Sequence, residues 1–171
     1  MKNDDQEKYE EKVEEEWEVH DTDPDEVIQQ LGNKPIILKV PWEKTYKINV
    51  KYCLWGFVDY DRDYFAPYFP SSCTNELENK HLIRTYGYSN RISRDVLSAF
   101  IRDCSWIASR PEKELNYVDY RGRHVYYELR IFDKKIIWQA EKIMDSSLRA
   151  TLFRKLSDAV EKLCRELEKD D

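Results

Sequence analysis

Apolar residues recur along this chain with two different periods, and the switches between them outline its elements. Val27, Ile28 and Leu31 fall on one helical face directly after Asp23-Pro24-Asp25-Glu26. There Asp23 is the cap, Pro24 suits the first helical position, and Glu26 can reach back to close a capping box. Gly32 is the stop. The apolar run 35–40 predicts a short buried strand, broken by Pro41 and Trp42. From 45 to 57, Tyr46, Ile48, Val50, Tyr52 and Leu54 alternate with Lys47, Asn49 and Lys51. This period of two predicts one half-buried antiparallel strand. A further strand is predicted at about 81–88. Ser93 then caps a second helix running to about 109, with Val96, Leu97, Phe100, Ile101, Cys104 and Ile107 in one stripe and Pro111 beyond its end. Strands follow at about 115–120, 124–132 and 136–143, with Arg121-Gly122-Arg123 and Asp133-Lys134-Lys135 as hairpin turns. A last helix spans about 146–168 and buries Leu148, Leu152, Leu156, Ala159, Val160, Leu163 and Leu167.

The predicted order is α-βββ-α-βββ-α. Helices packed on an antiparallel sheet of about six strands give a two-layer α+β domain. Residues 1–21 stand apart. Tyr9, Val13 and Trp17 recur every four residues, but one thin apolar stripe cannot hold a helix alone. The expectation is a disordered or conditionally helical acidic tail over 1–21 and a single domain over 22–171.

This order resembles the type III secretion chaperone fold, including the YbjN-like proteins that share it. The best local match runs from Arg94 to Glu168. It takes in the Val96/Leu97/Phe100/Ile101 helix, the Trp106 region leading into a strand, and a hairpin leading into 136–143 and the Leu148–Leu167 helix. The resemblance implies a non-catalytic binding protein, often a homodimer, that holds an extended segment of a partner on its sheet and helix surfaces. It transfers no catalytic residues.

Charge changes the picture. The net −6 is a sum of unlike parts: residues 1–30 carry thirteen acids and three Lys, whereas 31–171 carry an excess of four basic residues. An acidic tail on a mildly basic body could cover a basic patch until a partner displaces it. The four cysteines, Cys53, Cys73, Cys104 and Cys164, form no Cys-x-x-Cys pair, and free thiols in a reducing compartment are expected. No apolar run approaches the roughly 20 residues of a membrane span, and no basic-then-apolar signal opens the chain. A cytoplasmic location without membrane contact is expected.

Candidate chemistry is sparse. His20, His81 and His124 are far apart and lack metal-helix spacing. Four Gly leave little room for phosphate-cradling loops. Asp59, Asp61 and Asp63 alternate as cation ligands would, but the sixth and twelfth positions of a calcium loop hold Tyr64 and Pro70. Asp59, Asp61, Asp119 and Glu128 are the carboxylates a metal-dependent nuclease would use. Arg84, Arg91, Arg94, Arg102, Arg110, Arg121 and Arg123 are interleaved with aromatics, which suits RNA or single-stranded nucleic acid. Nearby acids offset them, and an excess of four is far below a strongly basic footprint.

The leading expectation is therefore a non-enzymatic protein-binding module, a chaperone-like adaptor or small inhibitor, with another protein or a second copy as partner and no cofactor. Its anchors would be Tyr64, Phe65, Tyr68 and Phe69 in the proline-bounded loop, together with Arg94, Arg102, Trp106, Arg121 and Arg123. The metal-dependent nuclease and the nucleic-acid binder are the alternatives.

Overall fold

The structure, a computed structural model, describes residues 17–42, 44–58, 88, 90–118, 125–139 and 146–169. The elements among them are α1 (Pro24–Leu31), β1 (Ile36–Lys39), β2 (Thr45–Asn49), β3 (Leu54–Phe57), β4 (Asn90–Arg91), α2 (Arg94–Cys104), a 3-10 turn (Ser105–Ile107), β5 (Glu114–Tyr117), β6 (Tyr126–Ile131), β7 (Lys134–Gln139) and α3 (Leu148–Leu167). The chain is an α+β protein. Its seven described strands form one sheet in the order β4-β3-β2-β1-β6-β7-β5. Every neighbouring pair is antiparallel except β5 with β7.

The helix starts are those the side chains dictate. Asp23, Ser93 and Ser147 each accept a backbone N–H of the first turn, from Asp25, Asp95 and Ala150 respectively. Gly32 ends α1 at φ +53°, a conformation that costs an L side chain strain. Each helix buries one face. Val27, Ile28 and Leu31 from α1, Leu97, Phe100 and Ile101 from α2, and Leu156, Val160 and Leu163 from α3 join one cluster. Alternate sheet residues complete it: Ile36, Leu38, Tyr46, Ile48, Leu129, Ile131, Ile136 and Trp138. Trp138 is fully buried, stacks on Tyr127 at 5.0 Å, and donates its Nε1 hydrogen to Ser157 Oγ of α3 at 2.7 Å.

Four expectations change. The predicted strand over 45–57 is a hairpin: Asn49 pairs with Leu54, and residues 50–53 turn between them. The turn has no Gly or Pro. Asn49 supplies it instead, accepting Tyr52 N–H on Oδ1 at 3.0 Å, while Cys53 takes φ +55°. The predicted turn at Arg121-Gly122-Arg123 does not join paired strands, because β7 lies between β5 and β6 and β5 runs parallel to β7. The β6–β7 turn is shorter than predicted. Ile131 pairs with Lys134, so only Phe132 and Asp133 turn, with Phe132 at φ +57°. Finally, Trp17, read as part of the tail, belongs to the core at 7% exposure. Of the strand predicted at 81–88, only Tyr88 is among the described residues, and it is buried. No described helix is long and apolar enough to cross a membrane.

The sheet face away from the main cluster is polar. Lys39, Glu128 and Ile137 align across β1, β6 and β7, and Ile37, Arg130 and Lys135 form the next row. Glu128 lies 3.7 Å from Arg130 and 3.5 Å from Lys135, so these charges offset one another. Lys47 on the same face is buried, with its Nζ 4.9 Å from the Tyr88 ring centroid.

Candidate functional site

Four large apolar side chains are exposed among the described residues: Val19 at 37%, Trp42 at 44%, Phe57 at 47% and Val125 at 49%. The register brings the last three to one end of the sheet. Leu38 pairs with Tyr46 and Tyr46 with Phe57, so the turn carrying Trp42 and the end of β3 lie side by side. Lys39 opposite Glu128 puts the start of β6, and Val125 before it, at the same end.

Buried rings hold this end in place. Tyr46 is fully buried, 5.2 Å from Phe57 and 5.9 Å from Trp55 between ring centroids. Trp55 meets Phe57 edge-on at 5.5 Å, and Trp42 meets Tyr127 edge-on at 6.4 Å. The two exposed aromatics therefore rest on a floor of buried rings, and packing of this kind lowers the side-chain entropy lost on binding.

Polar groups rim the patch where α3 ends. Lys44 pairs with Glu168 and lies 5.9 Å from the Phe57 ring centroid. Hydrogen bonding to Lys44 holds the Glu168 carboxyl below the usual range. Tyr127 donates its hydroxyl hydrogen to Glu161 at 3.0 Å. Burial pushes the Tyr46 phenol well up, with Cys164 and Glu168 adding to the shift. Burial also pushes the Tyr127 phenol up, and its bond to Glu161 adds to it. Burial moves the Cys164 thiol to about 12, with Glu168 contributing in the same direction. The two phenols and the Cys164 thiol are protonated at neutral pH, so they offer hydrogen bonds and are not activated nucleophiles.

The residues singled out from sequence fall elsewhere. Arg94 and Arg102 are exposed on α2, about 12 Å apart along its axis. Trp106 is 1% exposed in the 3-10 turn, packed on Trp17 and Phe153, so it presents no surface to a partner. Tyr64, Phe65, Tyr68, Phe69, Arg121 and Arg123 lie outside the described residues, as do Asp59, Asp61 and Asp119. Glu128 sits between Arg130 and Lys135, an ordinary place for a carboxylate on a wet sheet face. Among the described residues, no group of three or more His, Cys, Asp or Glu side chains could hold a metal ion.

A second concavity runs between α2 and α3. Cavities of about 360 and 230 Å³ share Asp103, Ala159 and Lys162 as walls. Its rims mix Asp95, Asp103 and Glu166 with Arg154, Lys155 and Lys162.

Sequence reading passed over Trp42 and Phe57. Trp42 looked like a strand breaker and Phe57 like the tail of a long strand. Only the 50–53 turn folds Phe57 back beside Tyr46. The signal available was an aromatic directly after a strand-ending proline, which places a large ring on a turn.

Together, fold and site define a mostly antiparallel sheet backed by three described helices, with an aromatic patch at one sheet end. No protein family matches the chain, and neither a curated protein nor a solved structure does.

Proposed function

We propose that this chain is a non-enzymatic protein-binding module, a chaperone-like adaptor or small inhibitor acting in the cytoplasm, and that Trp42, Phe57 and Val125 are its recognition surface. One observation carries the reading: three of the four exposed large apolar side chains among the described residues gather at one sheet end, over a floor of buried rings. Binding energy concentrates in rigidly held aromatics of this kind, with a polar rim around them. Lys44, Glu161 and Glu168 supply that rim. The resemblance to secretion chaperones points to the same class of activity. The partner is another protein, and a second copy of the chain is one form it can take.

The reading is tested by placing a photo-crosslinking amino acid at Phe57, and separately at Lys39 and Arg102, in the cell that makes the protein. Adducts are expected from position 57. Adducts from 39 or 102 with none from 57 would remove the sheet end from the account.

A further inference from the structure

Opposite charges line the two walls of the groove between α2 and α3. The helices run antiparallel across it. Asp95 and Val96 share one cavity with Leu163 and Glu166, and Asp103 shares the other with Thr151 and Lys155. Val96 and Ala99 on α2 are half-buried, and Ala159 on α3 is buried. These small side chains keep the floor of the groove low and apolar.

Asp95 and Asp103 stand on the α2 wall. Lys155 and Lys162 stand on the α3 wall, a turn to either side of Asp158. Glu166 ends that wall and lies 4.0 Å from Lys169. Among the described residues, Asp95, Asp103, Lys155 and Lys162 take part in no ion pair. Acid and base therefore share one groove without meeting, and both walls stand open to charges from outside.

We propose that this helix pair is a contact between two copies of the chain, with α2 of each lying over α3 of the other. A two-fold contact must be complementary to itself, and charge selects one such arrangement here. A two-fold axis parallel to the helices keeps every residue at its own height and lays α2 antiparallel over the second copy's α3. Asp103 of each copy then meets Lys155 and Lys162 of the other, and Val96 and Ala99 are closed off from water. A two-fold axis across the helices would instead set α2 on α2, acid against acid. Asp158, between the two lysines, tempers the attraction. The contact is also short, since the eleven residues of α2 span about 16 Å. The dimer is therefore weak, at the low end of interface sizes. The proposal goes beyond the sheet-end reading and takes in neither Trp42 nor Phe57.

The test is sedimentation equilibrium of the purified full chain, with melting temperatures taken alongside. Up to about 500 μM, a dimer is expected with Kd of about 10–100 μM. Asp103→Lys should weaken it at least about tenfold, and so should Lys155→Glu with Lys162→Glu, because like charges then meet at both symmetry-related contacts. Mixing the two variants should restore association, because each overlying helix pair then carries opposite charges again. Trp42→Ala with Phe57→Ala should leave the dimer unchanged, which separates this contact from the sheet end. Lys162→Gln, which only removes a charge, replaces a reversal that does not fold and should weaken the dimer about threefold. A monomer at every concentration would overturn the proposal. So would a dimer indifferent to the charge changes, a mixture that associates no better than its components, or a dimer lost with Trp42 and Phe57.

Discussion

Trp42 keeps 44% of its surface in water, whereas Trp138, on the far side of Tyr127, keeps none. The two rings should answer differently to removal. Trp138→Ala deletes a buried indole, its stack on Tyr127 and its bond to Ser157, and is expected to cost about 3–5 kcal/mol in urea unfolding. Trp42→Ala removes a half-exposed ring and should cost under about 1 kcal/mol. A Trp42→Ala loss as large as that of Trp138→Ala would make Trp42 part of the core and not of a recognition surface. The thiols divide in the same way. Cys104 and Cys164 are buried and their ionisation is suppressed, while Cys53 is half-exposed. Among these three described thiols, alkylation at pH 8, mapped by mass spectrometry, should mark Cys53 before the other two and reach Cys104 and Cys164 only after unfolding.

At the level of elements, the caps and one glycine carry testable weight. Ser147→Ala removes the acceptor for the Ala150 N–H at the start of α3 and should cost about 1 kcal/mol. Gly32→Ala should cost about 1–2 kcal/mol. The nearest atom to an added Cβ is Gln29 O at 4.0 Å, so the loss would be backbone strain at φ +53° and not a clash. Both are read as shifts in the denaturation midpoint. The helices were legible in the sequence because their signals are local: Asp23 and Ser93 cap in place, and the apolar stripes need no distant partner. The hairpin after Asn49 was not, because alternation continues through Val50 and Tyr52, and Asn49 makes the turn with its side chain. The parallel β5–β7 pairing was equally hidden. A short turn signal after β5 favours a hairpin, and only tertiary packing inserts β7 between β5 and β6. The sheet-end patch escaped for the same reason, since Trp42, Phe57 and Val125 are brought to one end only once the register is set.

For the whole molecule, the balance of ionisation predicts a stability maximum between acid and alkaline losses. Arg110 hydrogen bonds hold Glu112 below the usual carboxylate range against the opposing effect of its burial, Lys113 does the same for Asp133, and Lys44 for Glu168. Each folded-state pKa is depressed, so the stabilisation is present above about pH 4.5 and is lost as the pH falls through the folded values. Burial raises Tyr46, Tyr127, Cys104 and Cys164. There the folded state keeps protons that the unfolded chain releases, so stability falls as pH rises above about 9. Lys134, whose pKa burial lowers, works in the opposite direction on the alkaline side. Midpoints of urea unfolding from pH 3 to 11 should therefore fall at both ends, and a midpoint still rising beyond pH 10 would contradict the burial of those phenols and thiols.

The claim that matters most is that the Trp42–Phe57 sheet end recognises another protein. Its most direct test is the affinity of the crosslinked partner, once purified, for the chain carrying Trp42→Ala and Phe57→Ala, with the melting temperature taken alongside. The account predicts binding weakened at least about thirtyfold, about 2 kcal/mol, with melting shifted by only a few degrees. Unchanged affinity in a folded double variant would contradict it.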